Sequence, residues 1–250
     1  MSRPDEPAAD DPGERAPTGG EAEGSHAEVV PTTSVPGPRS PRRLVLRPIL
    51  RSWLRVRSQG AEHVPGSGPV LLASSHRSHA DSVALALAVR RPVHFLGDLK
   101  LTRAPIVGPQ LPKLGMVPLR RGEADAAALD VVRALLRDGH CVVVYPEGSR
   151  SRDSRVHRLR SGVARVAAEL EVDVVPAGIE GIERVWPVDG RPKPWGGAVT
   201  VRFGPPFPPP EDTPRARRSF NLQLQAQLGE LSRSELATTF SAAGGGEVGQ

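Results

Sequence analysis

The chain has one cysteine, Cys141, in 250 residues. This excludes an internal disulfide and a zinc site built on cysteine. Cys141 lies in an apolar run and is expected to be a buried, inert thiol. Aromatic residues make up only 4%. Few stacking platforms are therefore present, which argues against nucleic-acid binding despite a basic segment. Lysine occurs only at Lys100, Lys113 and Lys193, so arginine carries nearly all the positive charge. Arginine suits bidentate grip of phosphates and carboxylates. The longest stretch without a charged residue, 64–76, is interrupted by Gly, Pro and Ser. It falls short of the ~20 apolar residues that span a bilayer. Near the N-terminus there is no apolar leader core. The expectation is a cytoplasmic protein, peripheral on the inner face of the cell membrane.

The apolar share, 38% before glycine is added, is enough for a sizeable core. Charge is segregated. Residues 1–30 carry eight acids against Arg3 and Arg15, whereas residues 31–57 carry seven arginines and no acid. Pro, Gly and Ala fill the acidic part, so residues 1–43 are expected to be a disordered tail. One domain is expected over 44–236, and a second disordered tail over 237–250. In 44–57, Arg47, Arg51 and Arg55 recur on one helical face. Leu46, Ile49, Leu50, Trp53 and Leu54 fall on the other. This predicts a basic amphipathic helix, either an anchor to anionic lipid or a cover for the core.

From Gly60 onward strands and helices alternate. Strands are predicted at 70–73, 93–96, 116–119, 141–145, 173–176 and 198–203. Helices are predicted at 81–90, 123–138, 161–170 and 215–236. The alternation argues an α/β domain with a mixed, largely parallel central sheet flanked by helices. Ligands gather at the strand ends of such sheets.

Three polar clusters follow predicted strands. In the first, 74–81, His76 and Asp81 are five residues apart, about 140° off one helical face. They can meet only if His76 precedes a helix whose first turn holds Asp81. Three readings stand open: a base oriented by a carboxylate, a metal site of His76, His79 and Asp81, or a helix cap. The second cluster, 115–122, puts Arg120 and Arg121 at a strand end, as a phosphate clamp or as solvated charges. In the third, 145–152, Gly148 allows close approach, Ser149 can donate, and Arg150 can bind an anion. Glu147 holds that arginine or a ligand hydroxyl.

Together these clusters resemble the glycerolipid acyltransferase family, of the 1-acylglycerol-3-phosphate acyltransferase type. The carrying blocks are His76-Arg-Ser-His-Ala-Asp81, Gly115-Met-Val-Pro-Leu-Arg-Arg121, Tyr145-Pro-Glu-Gly-Ser-Arg-Ser151 and Val174-Val-Pro-Ala-Gly-Ile179. The approach at 60–65 and Arg160-Ser-Gly162 also look like the family. Ser149 stands for the usual Thr, Tyr145 for Phe, and Ser75 for a frequent Asn.

The resemblance implies the family's fold and acyl transfer from acyl-CoA or acyl carrier protein, a co-substrate rather than a cofactor. The acceptor would be the hydroxyl of lysophosphatidic acid or a related lysolipid at an anionic membrane surface. His76 would be the base and Asp81 its orienter, with no acyl-enzyme and no metal. Gly115, Arg120, Arg121, Glu147, Gly148, Ser149 and Arg150 would bind substrate. Oxyanion donors are expected among backbone N–H groups near 75–78 or around Gly148. Rival readings are another lipid or polyol acceptor, a silent lipid-binding protein, and a metallohydrolase.

Overall fold

The computed structural model describes residues 41–103, 108–119 and 125–241; side chains of 41–47 and 125 are left aside. The expectations for residues 1–40, Arg120 and Arg121 lie outside the described residues.

The chain opens with α1 (Pro41–Leu54), β1 (Val56–Gln59), β2 (Val70–Ser74), α2 (Asp81–Ala88) and β3 (Val93–Asp98). Short 3-10 turns lead to β4 (Met116–Leu119). There follow α3 (Asp125–Arg137), β5 (Cys141–Val144), α4 (Gly162–Leu170), β6 (Val174–Glu180), α5 (Ile182–Val185), β7 (Val199–Phe203) and α6 (Pro214–Ser232). Among the described residues these strands form one sheet, in the order β1–β7–β6–β2–β5–β3–β4. Every neighbouring pair is parallel except β6 with β7.

Residue type explains the layering. β2 and β5, in the interior of the sheet, are buried along their whole length and read as continuous apolar runs. β7 alternates Val199, Val201 and Phe203, all buried, with half-buried Thr200 and Arg202, as one packed face requires. One core holds α2 and the end of α1 against the sheet through Leu54, Ala84, Leu85 and Ala88. The other holds α3, α4 and α6 through Val132, Leu136, Val163, Val166, Leu224 and Leu228. The crossover β2–α2–β3 thus runs over one face, and β5–α4–β6 over the other. Their strands part at β2 and β5, so a crevice opens at the carboxyl edge there. Cys141 is fully buried, and that burial pushes its thiol up to about 12.

Two expectations need correction. The helix expected over 44–57 stops at Leu54, where Arg55 turns to a φ of 42°. Val56 then enters the sheet as β1, opposite Val199. The arginine period continues past the point where a buried valine is needed for pairing. The tail expected from 237 is packed as far as Ser241: Ala237 N–H donates to Val156 O, and Arg158 N–H to Thr239 O. Gln225 Nε2, on α6, donates to both Val156 O and Ala237 O. Those partners are remote in sequence, so nothing local in 237–241 announces them.

Candidate active site

Ala73 on β2 faces Val144 on β5. The loops leaving these two strands therefore emerge side by side at the carboxyl edge. His76 lies in the first, ahead of α2, and Asp81 is the first residue of α2. That is the one arrangement in which a five-residue spacing lets them meet. His76 Nδ1 is 2.7 Å from Asp81 Oδ2, and the Asp81 side chain is only 1% exposed. The same oxygen accepts the backbone N–H of Arg77 at 2.7 Å and of Ser78 at 2.8 Å. Asp81 thus folds the loop back onto itself, and as an anion it suits a helix N-terminus. A carboxylate only accepts, so Nδ1 carries the ring proton and Nε2 presents its lone pair.

The ring has a second support. It stacks on Tyr145 at a centroid distance of 3.8 Å and 14° between planes. Tyr145 is fixed in turn by a 2.6 Å hydrogen bond between its hydroxyl and Ser82 Oγ on α2. The His76 side chain is 17% exposed. Burial lowers its pKa from 6.5, and the Arg150 and His79 charges push the same way; the Asp81 bond and charge oppose them. His76 is therefore neutral at pH 7, the form a base requires.

Glu147 is fully buried beneath the two loops. Oε1 accepts the His76 N–H at 3.1 Å and Oε2 the His157 N–H at 2.8 Å. Ser151 N–H returns a bond to His76 O at 2.7 Å. Glu147, expected to bind substrate, has both carboxylate oxygens on backbone amides instead, has no face toward solvent, and positions the backbone at His76. Burial pushes its pKa up to about 7, against the pull of the His157 and His76 amides.

Replacing Glu147 by Gln leaves one of these two amides facing an NH2 group. The expected loss is about 1–3 kcal/mol of stability, the cost of one buried unpaired donor. The folded-state pKa is raised, so the Glu147 contribution is complete below about pH 4.5 and declines as pH rises to about 7. Thermal unfolding at pH 5 and pH 7.5 should show a larger gap between wild type and Glu147→Gln at pH 5. An equal gap at both pH values would refute the assignment.

The other expected residues divide. Arg150 is half-buried, and its charge acts on both His76 and Tyr145, which places it at the site. Ser149 Oγ lies 2.7 Å from Ser241 Oγ, so the C-terminal segment closes on this loop. Gly148 has a φ of 80°, and a Cβ there would come within 2.5 Å of Arg160 Nε. Its lack of a side chain serves Arg160 and the turn closed by Gly148 N–H to Tyr145 O. Gly115, expected to bind substrate, has a φ of 105° and is buried under β3, where a Cβ would meet Val93 O at 2.0 Å. It forms the tight entry to β4. β4 itself runs parallel to β3 toward the carboxyl edge and ends at Leu119.

The expected oxyanion donors are largely taken. The N–H groups of His76, Arg77 and Ser78 serve Glu147 and Asp81, and that of Gly148 serves Tyr145. His79 does not join the His76–Asp81 pair. It is exposed, with Nε2 3.0 Å from Val188 O and its ring against Trp186. Among the described residues no three of His, Cys, Asp and Glu gather as a metal site. Sequence reasoning missed two supports. Tyr145 was named only as part of the third block, with no hint that its ring lies under His76. Arg77, 5% exposed, ties this loop to β6 through Ile179 O at 2.9 Å. It had no signal beyond its place after His76.

Known proteins resemble this chain in sequence and in fold. The acyltransferase family profile matches residues 55–180. A chloroplastic 1-acyl-sn-glycerol-3-phosphate acyltransferase of Arabidopsis thaliana is 31% identical over 138 residues, 54% of this chain and 38% of that protein. One from Chlamydomonas reinhardtii is 29% identical over 153 residues, 60% of this chain and 46% of that protein. The matched region thus spans less than half the length of these relatives. The crystal structure of the 1-acyl-sn-glycerophosphate acyltransferase PlsC from Thermotoga maritima shares the fold. Its TM-score is 0.58 at 23% identity, over 77% of this chain and 78% of that one. The profile match starts at Arg55, just after α1, and stops at the last residue of β6, taking in both loops that carry the His76–Asp81 pair. The chain belongs to the acyltransferase family.

Proposed function

We propose that the protein moves a fatty acyl group from acyl-CoA or acyl carrier protein to the sn-2 hydroxyl of 1-acyl-glycerol-3-phosphate, forming phosphatidic acid. One observation carries the reading: His76 is clamped by Asp81 at Nδ1, with Nε2 left as the base. Nε2 takes the proton of the acceptor hydroxyl as its oxygen attacks the thioester carbonyl. The C–S bond then breaks, and the imidazolium returns the proton to the departing thiolate. No protein nucleophile is required. Arg150, with Arg120 and Arg121, which follow Leu119 in the sequence, are the residues we assign to the acceptor phosphate. The names of the relatives support this acceptor.

The test is thiol release from oleoyl-CoA by the purified chain, with and without lysophosphatidic acid, products identified by mass spectrometry. The expected result is acceptor-dependent release with phosphatidic acid formed. Release without acceptor means hydrolysis and another acceptor. No release with either oleoyl-CoA or oleoyl-carrier protein would overturn the reading.

We place this reaction at an anionic membrane surface. No described helix is long and apolar enough to cross a membrane. Ile49 on α1 is 59% exposed, and Trp195 is 83% exposed. The loop of Trp195 is pinned to α1 by Trp53 Nε1 to Lys193 O and Gly197 N–H to Trp53 O. Arg191 and Lys193, in the same loop as Trp195, are exposed too, so the loop carries an apolar tip and two basic groups. Arg191→Glu with Lys193→Glu should reduce flotation with phosphatidylglycerol vesicles on the order of tenfold or more, at ~1 kcal/mol per basic residue. Unchanged flotation would remove this surface from the account.

A further inference from the structure

One hydrogen bond fixes where an imidazole edge sits but not how the ring plane is turned. The torsion that turns a histidine ring is broad. The 2.7 Å bond from His76 Nδ1 to Asp81 Oδ2 tolerates a spread of ring planes, because a carboxylate oxygen accepts over a wide range of directions. Each plane points the Nε2 lone pair a different way. A base aimed to within ~10–20° therefore needs a second restraint.

Tyr145 supplies it. Its ring lies 14° from parallel to the imidazole, with 3.8 Å between centroids. Turning the imidazole edge-on would drive its atoms inside van der Waals contact with the phenol, so the stack fixes the plane that the Asp81 bond leaves loose. The platform is itself held at both ends. Tyr145 directly follows β5, and its carbonyl accepts the Gly148 N–H at 3.0 Å. Its hydroxyl lies 2.6 Å from Ser82 Oγ. Burial pushes the phenol pKa well above its usual value, so the hydroxyl stays protonated and available to that bond. Ser82 adjoins Asp81 in the first turn of α2. Two neighbouring residues of one helix thus govern the ring: Asp81 holds its edge, and Ser82 holds the face on which it rests.

We infer that Ser82 and Tyr145 are positioning residues for His76: their hydrogen bond locks the phenol under the imidazole and so aims Nε2 at the acceptor hydroxyl. The inference rests on the reading of His76 as a base, so one of its two tests needs no turnover. The first test is a cycle of Ser82→Ala, Tyr145→Phe and the two together in the full chain. Tyr145→Leu is run beside it, because leucine keeps apolar bulk and removes the flat face. Thermal melts check that each variant folds. Where Tyr145→Leu does not, the cycle decides alone.

In thiol release with oleoyl-CoA and lysophosphatidic acid, Ser82→Ala and Tyr145→Phe should each lower kcat several-fold. The double variant should fall no further than either single, since both remove one bond. Tyr145→Leu should lower kcat by about tenfold to a hundredfold, the cost of a misaimed reacting group. Phenylalanine at the same position should restore most of that loss, and KM for both substrates should change little throughout. The second test is NMR of the chain with isotope-labelled histidine, His76 being identified by its absence from the His76→Ala spectrum. Its Cε1–H and Cδ2–H signals should lie upfield, shielded by the phenol face. Ser82→Ala and Tyr145→Phe should weaken that shielding, and Tyr145→Leu should abolish it.

Unchanged kcat in Tyr145→Leu, additive losses in the double variant, losses confined to KM, or unshielded His76 signals in wild type would each overturn the inference. Shielding present in wild type and lost in the variants, in a chain inactive toward every lysolipid, would leave the positioning of the ring standing while the acyl-transfer reading fell.

Discussion

Replacing His76 with alanine is expected to lower kcat for acyl transfer by roughly 10²–10⁴, the range associated with a positioned general base. The stack on Tyr145 would leave a void but not a broken backbone. The His76 N–H still donates to Glu147, and its carbonyl still accepts from Ser151. The variant should therefore fold, and KM for both substrates should change far less than kcat. Wild-type kcat/KM should have an acid limb below pH 6.5, because burial holds the ring pKa down. The ring is active when neutral, so the rate falls as pH drops through its folded-state pKa, which lies below 6.5. Stability follows the same sign. An unfolded chain takes up the His76 proton first, so His76 destabilises the fold as pH falls below 6.5, and the alanine variant lacks that slope. Turnover near wild type in His76→Ala would end the base assignment.

Asp81→Asn should also cost on the order of 10²–10⁴ in kcat, for a different reason. Asp81 Oδ2 gathers three donors: the ring Nδ1–H and the N–H groups of Arg77 and Ser78. If the Asn oxygen takes that position, the loop holds but the negative charge that stabilises the imidazolium is gone. If its amide nitrogen turns to the ring, Nδ1 must accept and the proton moves to Nε2. That tautomer has no base to offer. In either case the two influences that raise the His76 pKa, the Asp81 hydrogen bond and charge, are weakened. The acid limb should then move to lower pH while the plateau drops. A pH profile distinguishes this from simple misfolding, which would scale the whole curve without moving it. An unmoved limb with a high plateau would show that Asp81 only caps α2.

The readable parts of this protein are those set by short-range pattern. β2 and β5 announce themselves as apolar runs because a parallel strand covered on both faces needs nothing else. The His76–Asp81 pair was legible because its spacing admits only one geometry that brings the groups together, a loop followed by a helix start. The packed C-terminal segment was not legible, because its partners are Val156, Arg158 and Gln225, all supplied by other parts of the fold. β1 was hidden by an arginine period that continues past the helix. The strand exists only because β7 has a free edge for Val56 to pair with.

Residue chemistry and local order alone determined the α/β alternation, the spacing that can bring His76 to Asp81, and the blocks that carry the family resemblance. The contacts of Glu147 and Gly115 followed instead from packing. A carboxylate in a motif reads the same whether it faces a substrate or two amides. Only its burial under both loops tells them apart. Electrostatic and hydrogen-bonding partners are chosen by proximity in space, and sequence distance carries no record of that choice.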